Sequence, residues 1–195
     1  ALMLAAQNGH DLCARELIKA GADIEKPDNQ GWTPLITTVA NGHEQCARDL
    51  IEAGADPNKA TLKGNTALTF ACESGHEQCA RALIENKADI EKPNNSGWTP
   101  LMKACSNGHE HCARAVIEAG ADPNKASKAG ETALMKAAKN GHEHCARIMI
   151  EAGANLESKQ KEGFTALMLS CEHGHDLCAR VLLENSANAN HTTPE

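Results

Sequence analysis

The chain has 195 residues, with 19 Lys and Arg against 26 Asp and Glu, and its formal net charge is −7. This acidic balance argues against a nucleic-acid surface, because phosphate binding requires a basic stripe, and it mildly favours a basic protein partner. No apolar run reaches the roughly 18 residues of a membrane-spanning helix, so we expect no membrane insertion.

One pattern recurs every 33 residues. Gly-x-Thr-(Pro or Ala)-Leu is followed by Gly-His and then by Cys-Ala-Arg. A fixed period of this length indicates an array of units that bury their apolar faces only by stacking on their neighbours. The chain is therefore divided, as a single domain, into units 1–30 (truncated), 31–63, 64–96, 97–129, 130–162 and 163–195.

Each unit predicts two helices and an extended excursion. In unit 31–63, Thr33 is a suitable N-cap, and Asn41-Gly42 supplies a left-handed stop for a short first helix. A second helix carries an apolar stripe that includes Leu50, and it ends at Gly54. The remainder of the unit, rich in turn residues, fits an extended finger closed by a turn.

This unit resembles the ankyrin repeat. The resemblance covers the whole chain, and in one unit it rests on Gly97-x-Thr99-Pro100-Leu101, Ala104-Cys105, Gly108-His109 and Gly120-Ala121-Asp122-Pro123-Asn124. It implies an all-α repeat solenoid of stacked helix-turn-helix units with β-turn fingers. It also implies a non-catalytic protein-interaction module that binds its partner on a concave surface.

Some residues depart from the repeat. Lys87 and Ser186 stand where other units have glycine, and a non-Gly residue in the left-handed conformation costs about 1 kcal/mol. We therefore expect weaker helix ends in units three and six. Counting back from Gly31, the first unit lacks its beginning, and both ends stay apolar, as in an excerpt from a longer array. The alternative is a chain whose ends pair with a partner or with each other, so we expect a monomer for which end-to-end association stays possible.

A second period of 66 residues makes the units alternate in two types. Trp32, Trp98 and Phe164 share one position in alternate units, which predicts three rings about 20 Å apart on one face, given the usual spacing of packed helices. Exposed Trp is a frequent interface anchor. The alternative is that each indole only covers the finger of its neighbour.

The nine cysteines fall on two repeat positions. Six lie in the second helix, and Cys72, Cys105 and Cys171 lie in the first. We expect both positions to face the core as free thiols, which favours a reducing cytoplasmic or nuclear compartment.

Three side-chain patterns could carry chemistry. His109, His111 and Cys112, with their counterparts one unit later, are zinc-ligand types, but the Gly-His histidine resembles the structural one of the family. Six equivalent Cys-His pairs in the same surroundings cannot all be active sites with a lowered thiol pKa. Acid-Arg-acid runs at i, i+4 and i+8 predict two ion pairs in each second helix and a self-neutralised face. We expect no metal, no cofactor and no enzyme activity, although Asn58 resembles asparagines that hydroxylases modify in some ankyrin repeats.

Recognition is expected where the units differ. By resemblance, the fingertip and first-helix positions are Asn29, Gln30, Trp32, Ala40, Asn41, Leu62, Lys63, Asn65, Glu73, Ser74, Asn95, Ser96, Trp98, Ser106, Asn107, Lys128, Ala129, Glu131, Lys139, Asn140, Lys161, Glu162, Phe164, Glu172 and His173. The alternative function is a structural spacer or repeat scaffold without a dedicated ligand, which the similarity between units favours.

Overall fold

A computed structural model describes residues 1–192 of the chain. These residues form an all-α solenoid with no β-strand, apart from one isolated bridge between Ala60 and Thr66. Its twelve helices are α1 (Leu2–Asn8), α2 (Asp11–Lys19), α3 (Pro34–Ala40), α4 (Glu44–Glu52), α5 (Ala67–Ser74), α6 (Glu77–Glu85), α7 (Pro100–Asn107), α8 (Glu110–Glu118), α9 (Ala133–Asn140), α10 (Glu143–Glu151), α11 (Ala166–Glu172) and α12 (Asp176–Glu184).

Helix ends follow the predicted caps. The Thr33 hydroxyl accepts a hydrogen bond from the Ile36 N–H at 3.2 Å, and the threonines at the same position in the next four units do the same. Gly42 has a φ of +76°, so the first helix ends in the left-handed conformation that glycine adopts without strain. Lys87 and Ser186 take this conformation as well, at φ +63° and +69°.

The core forms between units. Each odd-numbered helix packs on the odd-numbered helices of neighbouring units, and each even-numbered helix on the even-numbered ones. The leucine near the start of each first helix is buried, and each second helix buries at least one apolar residue. Leu68 and Leu83 are examples that have no exposed surface. A fully buried leucine contributes about 2 kcal/mol, so stacking supplies the apolar burial that a single short hairpin lacks.

A histidine of each unit fits against a glycine of the unit before it. The His142 ring lies over Gly108, where an added Cβ would be 2.6 Å from Nδ1. Its Nε2–H donates to the carbonyl oxygen of Ser106 at 3.1 Å. The pairs His43–Gly9, His76–Gly42, His109–Gly75 and His175–Gly141 repeat the close contact. The Gly-His motif thus holds neighbouring units in register.

Fingertips are joined in a ladder of backbone hydrogen bonds. The N–H of Leu62 donates to the carbonyl of Gln30 at 3.0 Å, and the same bond links each following pair of fingers through Lys161. Within a tip, one side chain closes the turn: the carboxylate of Asp28 accepts from the N–H groups of Gln30 and Trp32, both at 2.8 Å. The fingers therefore form a fixed edge along the solenoid.

The alternation of two unit types is explained at the base of the fingers. Glu25 accepts a hydrogen bond from the Asp56 N–H, at 2.6 Å, and lies 3.4 Å from the Lys59 ammonium. One unit later Asn58 takes this role, because its side-chain oxygen accepts from the Asp89 N–H at 2.7 Å. Glu91, Asn124 and Glu157 continue the alternation. The 66-residue period therefore reflects two interchangeable links between units.

The expectation that all cysteines face the core is wrong for two of them. Seven are buried, whereas Cys13 and Cys171 are exposed. A second-helix cysteine is covered by the first helix of the preceding unit, as shown by the 3.7 Å contact of the Cys112 thiol with the Ala71 carbonyl. Cys13 lies in the first described unit and Cys171 in the last, and no other unit within residues 1–192 covers either of them.

The ion pairs of the second-helix arginines also differ from those predicted. Arg48 pairs with Glu44 at 3.1 Å within its helix, as expected, but its second partner is Glu85 of the next unit at 3.8 Å rather than Glu52. Arg81 likewise joins Glu77 and Glu118. The i, i+4 prediction ignored the neighbouring helix, whose carboxylate comes within reach when the units stack.

Candidate functional site

A groove runs between the fingers and the first helices. Residues of units one to four line a cavity of about 670 Å³ in this groove. Polar side chains from three fingertips make one wall, and side chains from α5 and α7 make the other. The lining residues are Gln30, Trp32, Thr61, Leu62, Lys63, Asn65, Phe70, Glu73, Asn94, Asn95, Ser96 and Lys103.

One end of this groove is apolar. The Trp32 and Phe70 rings are in contact, with centroids 4.5 Å apart, and both are half-buried. Leu62 at the adjacent fingertip is 70% exposed, although it is one of the larger apolar side chains of the protein. Aromatic rings beside an exposed aliphatic side chain, with amides around them, are suited to hold an apolar group of a partner.

Further along, Trp98 lies between two lysines. The Lys136 ammonium is 4.1 Å from the centre of the indole ring and pairs with Glu131 at 2.5 Å. Lys103 lies 5.1 Å from the same ring and pairs with Glu73 at 2.7 Å. Lys136 is buried at 6% exposure, which is compatible with its charge because the carboxylate and the ring face compensate it.

Both tryptophans thus contribute to packing between units. Trp32 covers Phe70 and Trp98 covers Lys136, each of which belongs to the first helix of the following unit. Both rings stay half-buried, and Trp32 also lines the cavity. Packing and contact with a partner are therefore compatible at Trp32.

The residues predicted from sequence divide into three groups. Gln30, Trp32, Leu62, Lys63, Asn65, Glu73, Asn95 and Ser96 line the cavity. Asn29, Ala40, Trp98, Ser106, Lys128, Ala129, Glu131, Lys139, Lys161, Glu162, Phe164 and Glu172 occupy the same repeat positions in other units. Asn41, Ser74, Asn107, Asn140 and His173 lie at the end of the first helices, outside these positions.

Side chains in the third group mostly bond to the backbone. The Asn107 amide donates to the carbonyl of Glu73 at 3.1 Å, and the Asn41 amide donates to the carbonyl of Thr37 at 2.8 Å.

Asn65 of the first group was expected to be exposed, but it is buried, with 8% of its surface exposed. Its side-chain oxygen accepts from the Asn94 amide at 2.8 Å, so Asn65 contributes chiefly to the shape of the wall.

Sequence reasoning missed Phe70, Lys103, Asn94 and Lys136. A usable signal existed, because residues three apart on a helix share one face. Phe70 stands three residues before Glu73, and both line the cavity. Asn94 was missed because its turn-closing role, accepting from the N–H groups of Ser96 and Trp98 at 3.0 Å, depends on the folded finger.

A second cavity, of about 520 Å³, lies at the turns between paired helices. It contains His109, His111 and their counterparts His142 and His144. The Nε2 atoms of His109 and His142 are engaged by backbone carbonyls. Among residues 1–192, no three His, Cys, Asp or Glu side chains are arranged to hold a metal ion.

Three buried thiols are poorly suited to nucleophilic chemistry, those of Cys79 and Cys178 in second helices and that of Cys72 in a first helix. Burial raises the pKa of Cys79 and of Cys178 to about 11. A hydrogen bond with Cys112, together with burial, raises the pKa of Cys72 well above its ordinary value. A nucleophilic thiol needs access and a lowered pKa, and these three lack both.

Comparison with known proteins establishes the family. The family model for ankyrin repeats matches in three copies, over residues 1–61, 56–127 and 119–193. The chain belongs to the ankyrin repeat family. The structure is similar to the crystal structure of the ankyrin repeat domain of Bcl-3, described as a unique member of the IkappaB protein family. The TM-score is 0.86 and the sequence identity 26%, and the match covers 98% of this chain and 88% of that one.

No curated protein matches the sequence. Ankyrin repeats are in general protein–protein interaction modules on a non-catalytic scaffold. None of the helices within residues 1–192 has the length and apolar character needed to cross a bilayer.

Proposed function

We propose that this ankyrin repeat chain is a non-catalytic interaction module that binds another protein in the groove between its fingers and first helices. The observation that carries the proposal is the exposed Leu62 beside the Trp32–Phe70 pair, inside a cavity of about 670 Å³ with polar walls. Apolar side chains bordered by polar ones are the usual composition of a protein interface. We further propose that the protein is a monomer. We also propose a reducing compartment, cytoplasmic or nuclear, because seven cysteines fill core positions as free thiols.

The competing function is a structural spacer or repeat scaffold with no dedicated ligand. The observation in its favour is the near-identity of the second helices, for example Glu-Gln-Cys-Ala-Arg in both α4 and α6. A spacer would expose the same groove but would select no partner there.

Two matched leucine substitutions distinguish the two functions. Leu62 lies in the groove and is 70% exposed, whereas Leu12 lies on α2 and is 75% exposed. Leu62→Ser and Leu12→Ser remove the same side chain from two surfaces without touching the core. Each variant and the unchanged chain are used to capture proteins from a cell extract, and the affinity of any captured protein is then measured with purified components.

An interaction module predicts a protein that is retained by the unchanged chain and by Leu12→Ser but binds Leu62→Ser about tenfold more weakly, as expected for an apolar contact at an interface. Identical sets of captured proteins for all three baits would instead support the spacer. Circular dichroism checks that the three chains are equally helical.

A further inference from the structure

Acidic residues are not spread evenly over the solenoid. The positions that line the cavity, taken in every unit of residues 1–192, hold six lysines and five carboxylates, although the chain as a whole has 19 basic and 26 acidic residues. The excess of acid therefore lies elsewhere, chiefly at both ends of the second helices. The charge facing a partner in the groove has a different sign from the net charge of the chain.

Ion pairing increases this contrast. Glu73 and Glu131 are neutralised by Lys103 and Lys136, and Asp28 closes its own turn. Four groove lysines make no ion pair within residues 1–192, namely Lys63, Lys128, Lys139 and Lys161. The remaining groove carboxylates, Glu162 and Glu172, lie at the far end, in the last unit and the finger before it. Between the fingertip at residues 94–96 and helix α9, the charged groove side chains that have no ion-pair partner are consequently all positive.

Two of these lysines occupy the same repeat positions as residues at the apolar end of the groove. Lys128 occupies the position of Leu62 two units further along, and Lys139 occupies the position of Glu73. Neighbouring packed helices are about 10 Å apart, so Lys128 lies about 20 Å from Leu62. An extended chain rises about 3.3 Å per residue and spans that separation with about six residues.

We propose that the groove binds an acidic, extended peptide segment of its partner. An apolar side chain of the segment packs on Leu62, Trp32 and Phe70, and carboxylates about six residues away pair with Lys128 and Lys139. This inference rests on the proposed function and specifies its partner. It replaces the preference for a basic partner that the net charge suggested, because that net charge is dominated by second-helix carboxylates outside the groove.

The test uses a fluorescein-labelled peptide with a Leu-Phe pair and a run of Glu about six residues further along. A second peptide has Lys in place of each Glu. Fluorescence anisotropy measures the binding of both to the unchanged chain and to two doubly substituted variants. The groove variant is Lys128→Glu with Lys139→Glu. The control is Arg114→Glu with Arg180→Glu, an equal change of charge at exposed positions of the second helices that make no ion pair within residues 1–192.

We expect the acidic peptide to bind the unchanged chain and the control variant alike, and the groove variant at least about tenfold more weakly, since close charge pairs at interfaces couple strongly. Added salt should weaken the binding of the acidic peptide by screening.

The inference is overturned if the basic peptide binds as tightly as the acidic one, if both variants lose equal affinity, or if neither peptide binds. It is also overturned if a single-stranded oligonucleotide binds the groove more tightly than the peptide, since the preferred ligand would then be nucleic acid. The leucine substitutions test the interaction module separately, so it can stand when the acidic preference fails.

Discussion

A methyl group added at Gly108 tests whether glycine and histidine hold neighbouring units together. In Gly108→Ala, the new Cβ would lie 2.6 Å from Nδ1 of His142. Ordinary contacts are 3.5–4.0 Å, so the ring must withdraw by about 1 Å. Its hydrogen bond to the Ser106 carbonyl, now 3.1 Å, would lengthen beyond hydrogen-bonding range. The lost bond costs about 1 kcal/mol, and alanine at φ +75° costs about 1–2 kcal/mol more.

We therefore expect Gly108→Ala to lower the free energy of unfolding by about 2–3 kcal/mol, measured by urea denaturation followed by circular dichroism. Gly120→Ala is the control, because Gly120 also has a positive φ but nothing lies within 4 Å of its Cβ position. Combining Gly108→Ala with His142→Ala isolates the clash, since without the ring only backbone strain remains. If the losses in free energy of unfolding caused by the two single substitutions add up to that of the double variant within about 0.3 kcal/mol, the contact between Gly108 and the His142 ring does not hold the units together.

Three further predictions concern stability. Glu131→Ala leaves the buried Lys136 ammonium unpaired and should cost about 3 kcal/mol in urea denaturation, whereas Glu73→Ala, at a more exposed pair, should cost at most about 1 kcal/mol; equal losses would contradict the assigned burial. Burial raises the pKa of the Cys79 thiol from 9.0 to about 11. The protonated thiol therefore makes its full contribution to the free energy of unfolding below pH 9, and this contribution is lost as the pH rises towards 11. Urea midpoints that stay constant over this pH range would refute the prediction. Lys87→Gly relieves a φ of +63° and should raise the free energy of unfolding by about 1 kcal/mol, and no gain in the same assay would show that the strain is absent.

The architecture could be predicted because each unit carries its own local signals. Thr33 as a cap and Gly42 as a stop act within a few residues, and the structure confirms both. The 33-residue period then fixes what each unit stacks on. Errors arose where a side chain depends on its neighbours in space. Within residues 1–192 no unit covers Cys13, and Arg48 reaches Glu85 in the second helix of the next unit.

The groove was predicted less completely for a related reason. Variation between copies was taken to indicate exposure, and this holds for Leu62 and Lys128 but fails for Asn65, which is buried by its bond to Asn94. Lys136 shows the opposite failure. A lysine is expected at the surface, yet the Trp98 ring and Glu131 allow this one to be buried, and that arrangement requires residues from two units.

Variation in a repeat array therefore has two sources that only the folded chain separates. Alternation between Glu25 and Asn58 looks like divergence in the sequence, but both side chains accept a hydrogen bond from the backbone of the following unit. A residue is a candidate for recognition when it varies and is not already used to join two units. At the fingertips Leu62, Lys128 and Lys161 meet this criterion, because their backbones join neighbouring fingers while their side chains make no hydrogen bond or ion pair to another unit within residues 1–192. This places recognition on the fixed edge of the groove, where a partner would meet an apolar residue first and unpaired lysines further along.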